Sequence, residues 1–163
     1  MIRQRPDGHP TRGRMKCTYR WMAAIVAFGA GCGAPSDQAL IAKFKSNKTA
    51  YVRLRDMLQK DENLSRLAKW GVALNDRGGT SKPPNSTFPL DRYNQYLQLL
   101  KEAGGLGASR SSGKPPYLCI VVYAAGWAGD ARHASICWIE PRTEGAPRGS
   151  QIEEDWYLLK DYK

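Results

Sequence analysis

Tyr117-Leu-Cys-Ile-Val-Val-Tyr123 and Ala134-Ser-Ile-Cys-Trp-Ile-Glu140 are the two stretches that set the fold class. Both are rich in β-branched and aromatic residues and are bounded by Pro116, Gly126 and Pro141, so they read as strands. The connection from Ala124 to His133 contains Gly126, Gly129 and Asp130, which suits a hairpin with a longer loop. Trp156-Tyr-Leu-Leu-Lys160 reads as a third strand, after a Pro/Gly-containing linker over 141–150. Trp138 and Trp156 lie within these strands and are expected on the core or a sheet face.

Cys119 and Cys137 fall on the two hairpin strands, and pairing them directly puts Ala124 opposite Arg132. Opposed side chains in a non-hydrogen-bonded antiparallel pair have Cβ atoms about 4 Å apart, the separation a disulfide requires. An oxidising compartment would permit that bond, and the alternative is two buried free thiols. No CxxC pair and no Cys/His cluster with zinc spacing is present, so neither metal nor cofactor is expected.

Upstream the period is helical. Ser36 or Asp37 can cap a helix, and Leu40, Phe44, Tyr51, Leu54 and Leu58 recur at helical spacing, with polar Asn47 at the missing step, so residues 38–60 are expected to form one amphipathic helix. Lys43, Lys45, Lys48, Arg53 and Arg55 form its other face. Residues 61–70 read as a turn and a short helical piece that places Leu64, Leu67 and Trp70 on the core, ended by Gly71. Residues 75–87 are turn formers without an apolar member, hence a loop. Pro89 and Gly104-Gly105 bracket a second helix, with Leu90, Tyr93, Tyr96 or Leu97, and Leu100 on one side. The Gly/Ser/Pro-rich segment 104–116 reads as a second loop. The expected fold is therefore α+β: two N-terminal helical segments followed by a small antiparallel sheet of about three strands.

The N-terminus carries an address. Arg12, Arg14, Lys16 and Arg20 precede an apolar core from Trp21 to Phe28, and Gly29-Ala-Gly31 leads to Cys32, the order of an export signal. That apolar core is about half of the roughly 20 residues a membrane-spanning helix needs. Gly29-Ala-Gly-Cys32 resembles the bacterial lipobox, although leucine is usual where Gly29 stands, and the likeness implies that Cys32 is lipidated. A plain secretory peptide or an unprocessed N-terminus are the alternatives. Met15 begins a signal of ordinary proportions, which makes it a candidate translation start. The expected organisation is an export signal over 1–31, a lipidated tether over 32–36 and a single α+β domain over 37–163, placed in the bacterial cell envelope on the periplasmic face of the outer membrane.

The formal charge of +10 tempts a nucleic-acid reading, but residues 1–31 hold six Lys/Arg and one Asp, so only +5 remains on the rest. Nucleic acid is the wrong partner for that compartment. The balance suits an envelope protein or an anionic envelope polymer, since basic charge raises affinity for any polyanion without choosing one.

Catalytic patterns are weak. His133 lies near Asp130, Arg132 and Ser135, but a Ser135–His133–Asp130 triad would need residues close in sequence to converge, which is unusual. Glu153, Glu154 and Asp155 are consecutive before the last strand and suit a charged turn that protects a sheet edge. Gly104-Gly-Leu-Gly107 has neither the leading strand nor the following helix that a phosphate cradle needs. Trp127, set among small residues in the hairpin loop, forms with Asp130 and Arg132 a candidate binding loop.

Phe44, Met57-Leu58, Asp61, Leu64 and Arg66, with Tyr93, Tyr96, Leu99-Leu100 and the closing Trp156-Tyr157-Leu158, resemble the pattern of a family of small uncharacterised bacterial envelope lipoproteins. The resemblance implies two helical stretches before a small antiparallel sheet, and it brings no activity with it. That group tends to have several short strands where this chain has the 104–116 segment. The expected function is lipid-anchored binding without catalysis. The rivals are a periplasmic immunity or inhibitor protein against a toxin or lysozyme-like enzyme, acting through the hairpin loop, and a hydrolase using His133.

Overall fold

Ser36 starts the folded region: its Oγ accepts from the Ala39 backbone N–H, which caps α1 (Asp37–Ser46). The computed structural model describes residues 34–76, 79–83, 87–111, 117–126, 132–140 and 149–161. Lys48–Lys60 form α2. The expected single helix is broken at Asn47, whose φ of −117° and ψ of 20° leave the helical region. Its side-chain amide donates to Lys43 O while its backbone N–H donates to Lys43 O and Phe44 O, so the asparagine closes one helix and starts the next. α3 (Leu90–Ala103) runs from Pro89 to Gly104, which takes the left-handed conformation (φ 67°) that glycine allows after a helix. α2 packs along α3 and against the sheet. Among the described residues, no helix is long and apolar enough to cross a membrane.

Among the described residues the sheet has seven strands, all antiparallel, in the order β2-β1-β3-β4-β5-β7-β6. In chain order they are β1 (Leu64–Ala68), β2 (Gly71–Leu74), β3 (Gly107–Arg110), β4 (Leu118–Ala125), β5 (Arg132–Trp138), β6 (Ser150–Glu153) and β7 (Trp156–Asp161). The expectation of two N-terminal helical segments followed by about three strands is therefore corrected in number and in order. Among the described residues there are three helices, and α3 lies in the chain between β2 and β3.

Each missed strand has a physical reason. In β1 the Leu64-to-Leu67 spacing of three imitates a helix because a bulge between Leu64 and Arg66 inserts an extra residue into the pairing with β2. The fully buried Leu64 and Leu67 thus keep to one sheet face. Gly71, read as a terminator, opens β2 with φ 149°, and a Cβ there would meet Ser81 O at 2.8 Å. β3 is glycine- and serine-containing because β1 passes close beside it: a Cβ on Gly107 would lie 2.9 Å from Leu67 O. β6 begins at Ser150 and lies at the sheet edge, joined to β7 by a turn in which Asp155 has φ 63°. The other edge is covered in part by Ser81, which exchanges both backbone hydrogen bonds with Val72, at 2.8 and 2.9 Å.

Alternation across the strands sorts the two faces. Leu67, Ala108, Ile120, Ile136 and Leu158 form one row of paired, buried residues, and with Leu118 and Trp156 they belong to the same core as the helix residues Leu40, Phe44, Tyr51, Leu54, Tyr96 and Leu100. Phe44 meets Tyr51 and Trp156 with ring centroids 5.1 Å away in both cases, which ties α1 to α2 and β7. A polar cluster sits beside this core. Asp61 Oδ2 accepts from Arg92 Nε and from Tyr96 Oη, both at 2.8 Å, and the Arg92 guanidinium lies 5.6 Å from the Tyr96 ring centroid. Arg110 projects to the helix side and donates to Leu58 O, a carbonyl that α2 leaves open in its last turn.

Burial raises the pKa of Tyr51 well above the ordinary tyrosine value of 10.0, and Tyr96 rises further, first through burial and then through its bond to Asp61. The folded chain therefore keeps protons that the unfolded chain releases near about pH 10, so stability is level below that pH and falls above it. Urea midpoints between about pH 8 and 11 should show this fall. Tyr51→Phe removes a buried hydroxyl that has no partner among the described residues, and it should make the fall shallower while changing neutral-pH stability by under about 1 kcal/mol.

Candidate functional site

None of the described helices covers the second face of the sheet. Its rows follow from the register. Arg66, Ser109, Cys119, Cys137 and Tyr157 are successive partners in one, and Ala68, Gly107, Val121, Ser135 and Leu159 in the next. These rows floor a groove of about 580 Å³, within the range of small-ligand sites. Arg66, Trp70, Leu106 and Tyr117 line one side, and His133 and Asp161 the other. The lining mixes aromatic and aliphatic surface with cationic, hydroxyl, imidazole and carboxylate groups.

The Cys119–Cys137 pairing leaves the two residues directly opposed, with Cα atoms 4.1 Å apart and the sulfurs joined in a disulfide at 2.04 Å. Past that point the expected register shifts by one. A bulge between Val121 and Tyr123 puts Ala124 opposite His133 and Ala125 opposite Arg132, where unbroken pairing would have set Ala124 against Arg132. The bulge points both Val122 and Tyr123 toward the core and returns Ala124 to the groove face, where it meets His133.

Of the candidate binding loop, Trp127 and Asp130 lie outside the described residues, and Arg132 is exposed at the start of β5. Cys32 and the whole export segment also lie outside them. Trp138 and Trp156 sit on the helix side, the first beneath the Arg55 guanidinium at 5.6 Å and the second buried. Glu153 ends β6 and pairs with Lys48 of α2. Trp70, expected on the core, is 53% exposed, because the chain turns at Lys69-Trp70 and the helical spacing it seemed to continue is not there.

Sequence reasoning missed the residue that faces His133. Asp161 is its direct partner across β5 and β7, and Ser135, only 7% exposed, lies two residues along the same strand on the same face. The sum of parts resembles a hydrolase set, but among the described residues no hydrogen bond links Ser135 to His133 or His133 to Asp161, and the connectivity a triad requires is not made. No signal in the sequence pointed to Asp161, since its role as a neighbour depends on β7 pairing with β5. Among the described residues no three His, Cys, Asp or Glu side chains converge as a metal site would need.

Peptide mapping without reductant should recover Cys119 and Cys137 in one linked fragment, and full alkylation of both after denaturation would contradict the linkage. Cys119→Ala with Cys137→Ala should lower stability by about 3 kcal/mol, because the link closes a loop with a sequence separation of 18. Searches of family models, of curated proteins and of solved structures each found no match to this chain, so the likeness to envelope lipoproteins rests on residue patterns alone.

Proposed function

We propose that this chain is a lipid-anchored protein of the bacterial cell envelope, held at the periplasmic face of the outer membrane through Cys32, and that it acts by binding and not by catalysis. The observation that carries the binding part is the groove on the helix-free sheet face, whose floor is braced by the Cys119–Cys137 link and whose walls offer aromatic, cationic and hydrogen-bonding groups together. The anchor part is supported by the charged, apolar and small-residue order that ends at Cys32. The partner is an envelope protein or an anionic envelope polymer, with nucleic acid excluded by the compartment. The rival of a periplasmic immunity or inhibitor protein rests on the hairpin loop, whose Trp127 and Asp130 lie outside the described residues.

Cys32→Ala should move the protein from the membrane pellet to the soluble envelope fraction, since stable anchoring takes more than one acyl chain and this site would supply them. Val121→Arg places a long charged side chain in the groove floor, so it should abolish recovery of the partner from envelope extracts without changing fractionation. The hydrolase reading is favoured by one observation, Asp161 opposite His133 on the groove face. His133→Ala separates the two readings: unchanged partner recovery and cellular phenotype fit binding, whereas loss of phenotype with partner recovery intact would assign the groove to chemistry.

A further inference from the structure

Three large apolar side chains among the described residues are exposed, and two of them share one end of the sheet. Trp70 occupies the two-residue turn between β1 and β2 and is 53% exposed, and Leu106, directly before β3, is 51% exposed. Because Ala68 pairs with Gly107, the residues just beyond that pair are neighbours at the strand ends. Lys69 stands exposed beside Trp70 in the turn, and Arg132 is exposed at the start of β5 on the same end of the sheet. The carboxylate of Asp161 is also at this end, and Lys160 beside it is paired with Asp37.

That ion pair fixes where the chain enters the domain. β7 runs toward the end of the sheet that carries the β1–β2 turn, so the Lys160–Asp37 pair holds the start of α1 there. From Asp37 back to Cys32 is five residues, a reach of at most about 18 Å. A lipid on Cys32 would hold the start of α1, at this end of the sheet, within that distance of the bilayer.

We propose that the end of the sheet formed by the Lys69-Trp70 turn and Leu106 rests on the membrane interface, with Trp70 and Leu106, which rim one end of the groove, seated at the boundary between headgroups and acyl chains and the rest of the groove, from Arg66 and Tyr117 to the disulfide, left to the partner. The indole is suited to that position, since its ring is apolar and its N–H still finds a wet partner. Lys69 and Arg132 meet anionic headgroups, although Asp161 offsets part of that attraction. The inference takes its occupant from the proposed lipidation of Cys32, and the two fail separately.

The test uses the full-length chain purified from membranes and placed on phosphatidylcholine–phosphatidylglycerol vesicles whose acyl chains carry bromine, a short-range quencher of indole fluorescence. Native protein should be quenched, and Trp70→Phe should lose the larger part of that quenching. In the Cys32→Ala chain, Trp70→Ser with Leu106→Ser should weaken vesicle partitioning about tenfold. Equal quenching of native and Trp70→Phe proteins would overturn the proposal, as would partitioning that ignores the double substitution. The mass of the peptide containing Cys32, measured on the same sample, reports lipidation. An unmodified mass overturns the anchor, while the Cys32→Ala comparison still decides for or against Trp70 and Leu106.

Discussion

The pairing of β4 with β5 is the constraint on which the rest of the molecule depends. These are the two longest strands, they occupy the middle of the sheet, and their register assigns every side chain to a face. Ile120 opposite Ile136 goes to the helices, and Cys119 opposite Cys137 goes to the groove. A slip of one residue would exchange those sets, exposing the isoleucines and burying the polar groove residues against α2. The disulfide and the bulge at Val122 mark the two places where the register is fixed and then deliberately shifted.

The helix layer is held to that sheet by a small number of interior polar contacts as well as by apolar packing. Asp61 follows α2 and takes hydrogen bonds from two residues of α3, while Arg110 reaches from β3 to the open carbonyl end of α2. Asp61 thus ties α2 to α3, and Arg110, whose Nε has no partner among the described residues, ties β3 to α2, which constrains the placement of the helices in a way that leucine contacts alone would not. Tyr93 adds a third such link, donating from its hydroxyl to Ala68 O of β1 at 3.0 Å.

What was legible in the sequence was local. Strands dense in Val, Ile, Cys and aromatic residues announced β4, β5 and β7, and the apolar spacing of Tyr93, Tyr96 and Leu100 announced α3. The strands that escaped notice are those whose identity is set by their neighbours. Gly-Ala-Ser-Arg in β3 has little strand propensity of its own and exists because β1 and β4 flank it, and β1 hid behind a bulge that imitated helical spacing. The groove suffered the same fate. Arg66 and Trp70, Ser135, and Asp161 come from three separate parts of the chain, and only the completed strand order sets them around one space.

The treatment of the sheet margins has a consequence for how many copies can live side by side. On one margin Val72 spends both its backbone groups on Ser81, and on the other β6 is four residues long, bulged, and tied through Glu153 to Lys48. Among the described residues neither margin offers the long, flat ladder of vacant amides on which an identical chain would dock. Molecules gathered at high density on a surface would therefore find, at β2 and β6, no ready edge along which one copy's sheet could continue another's.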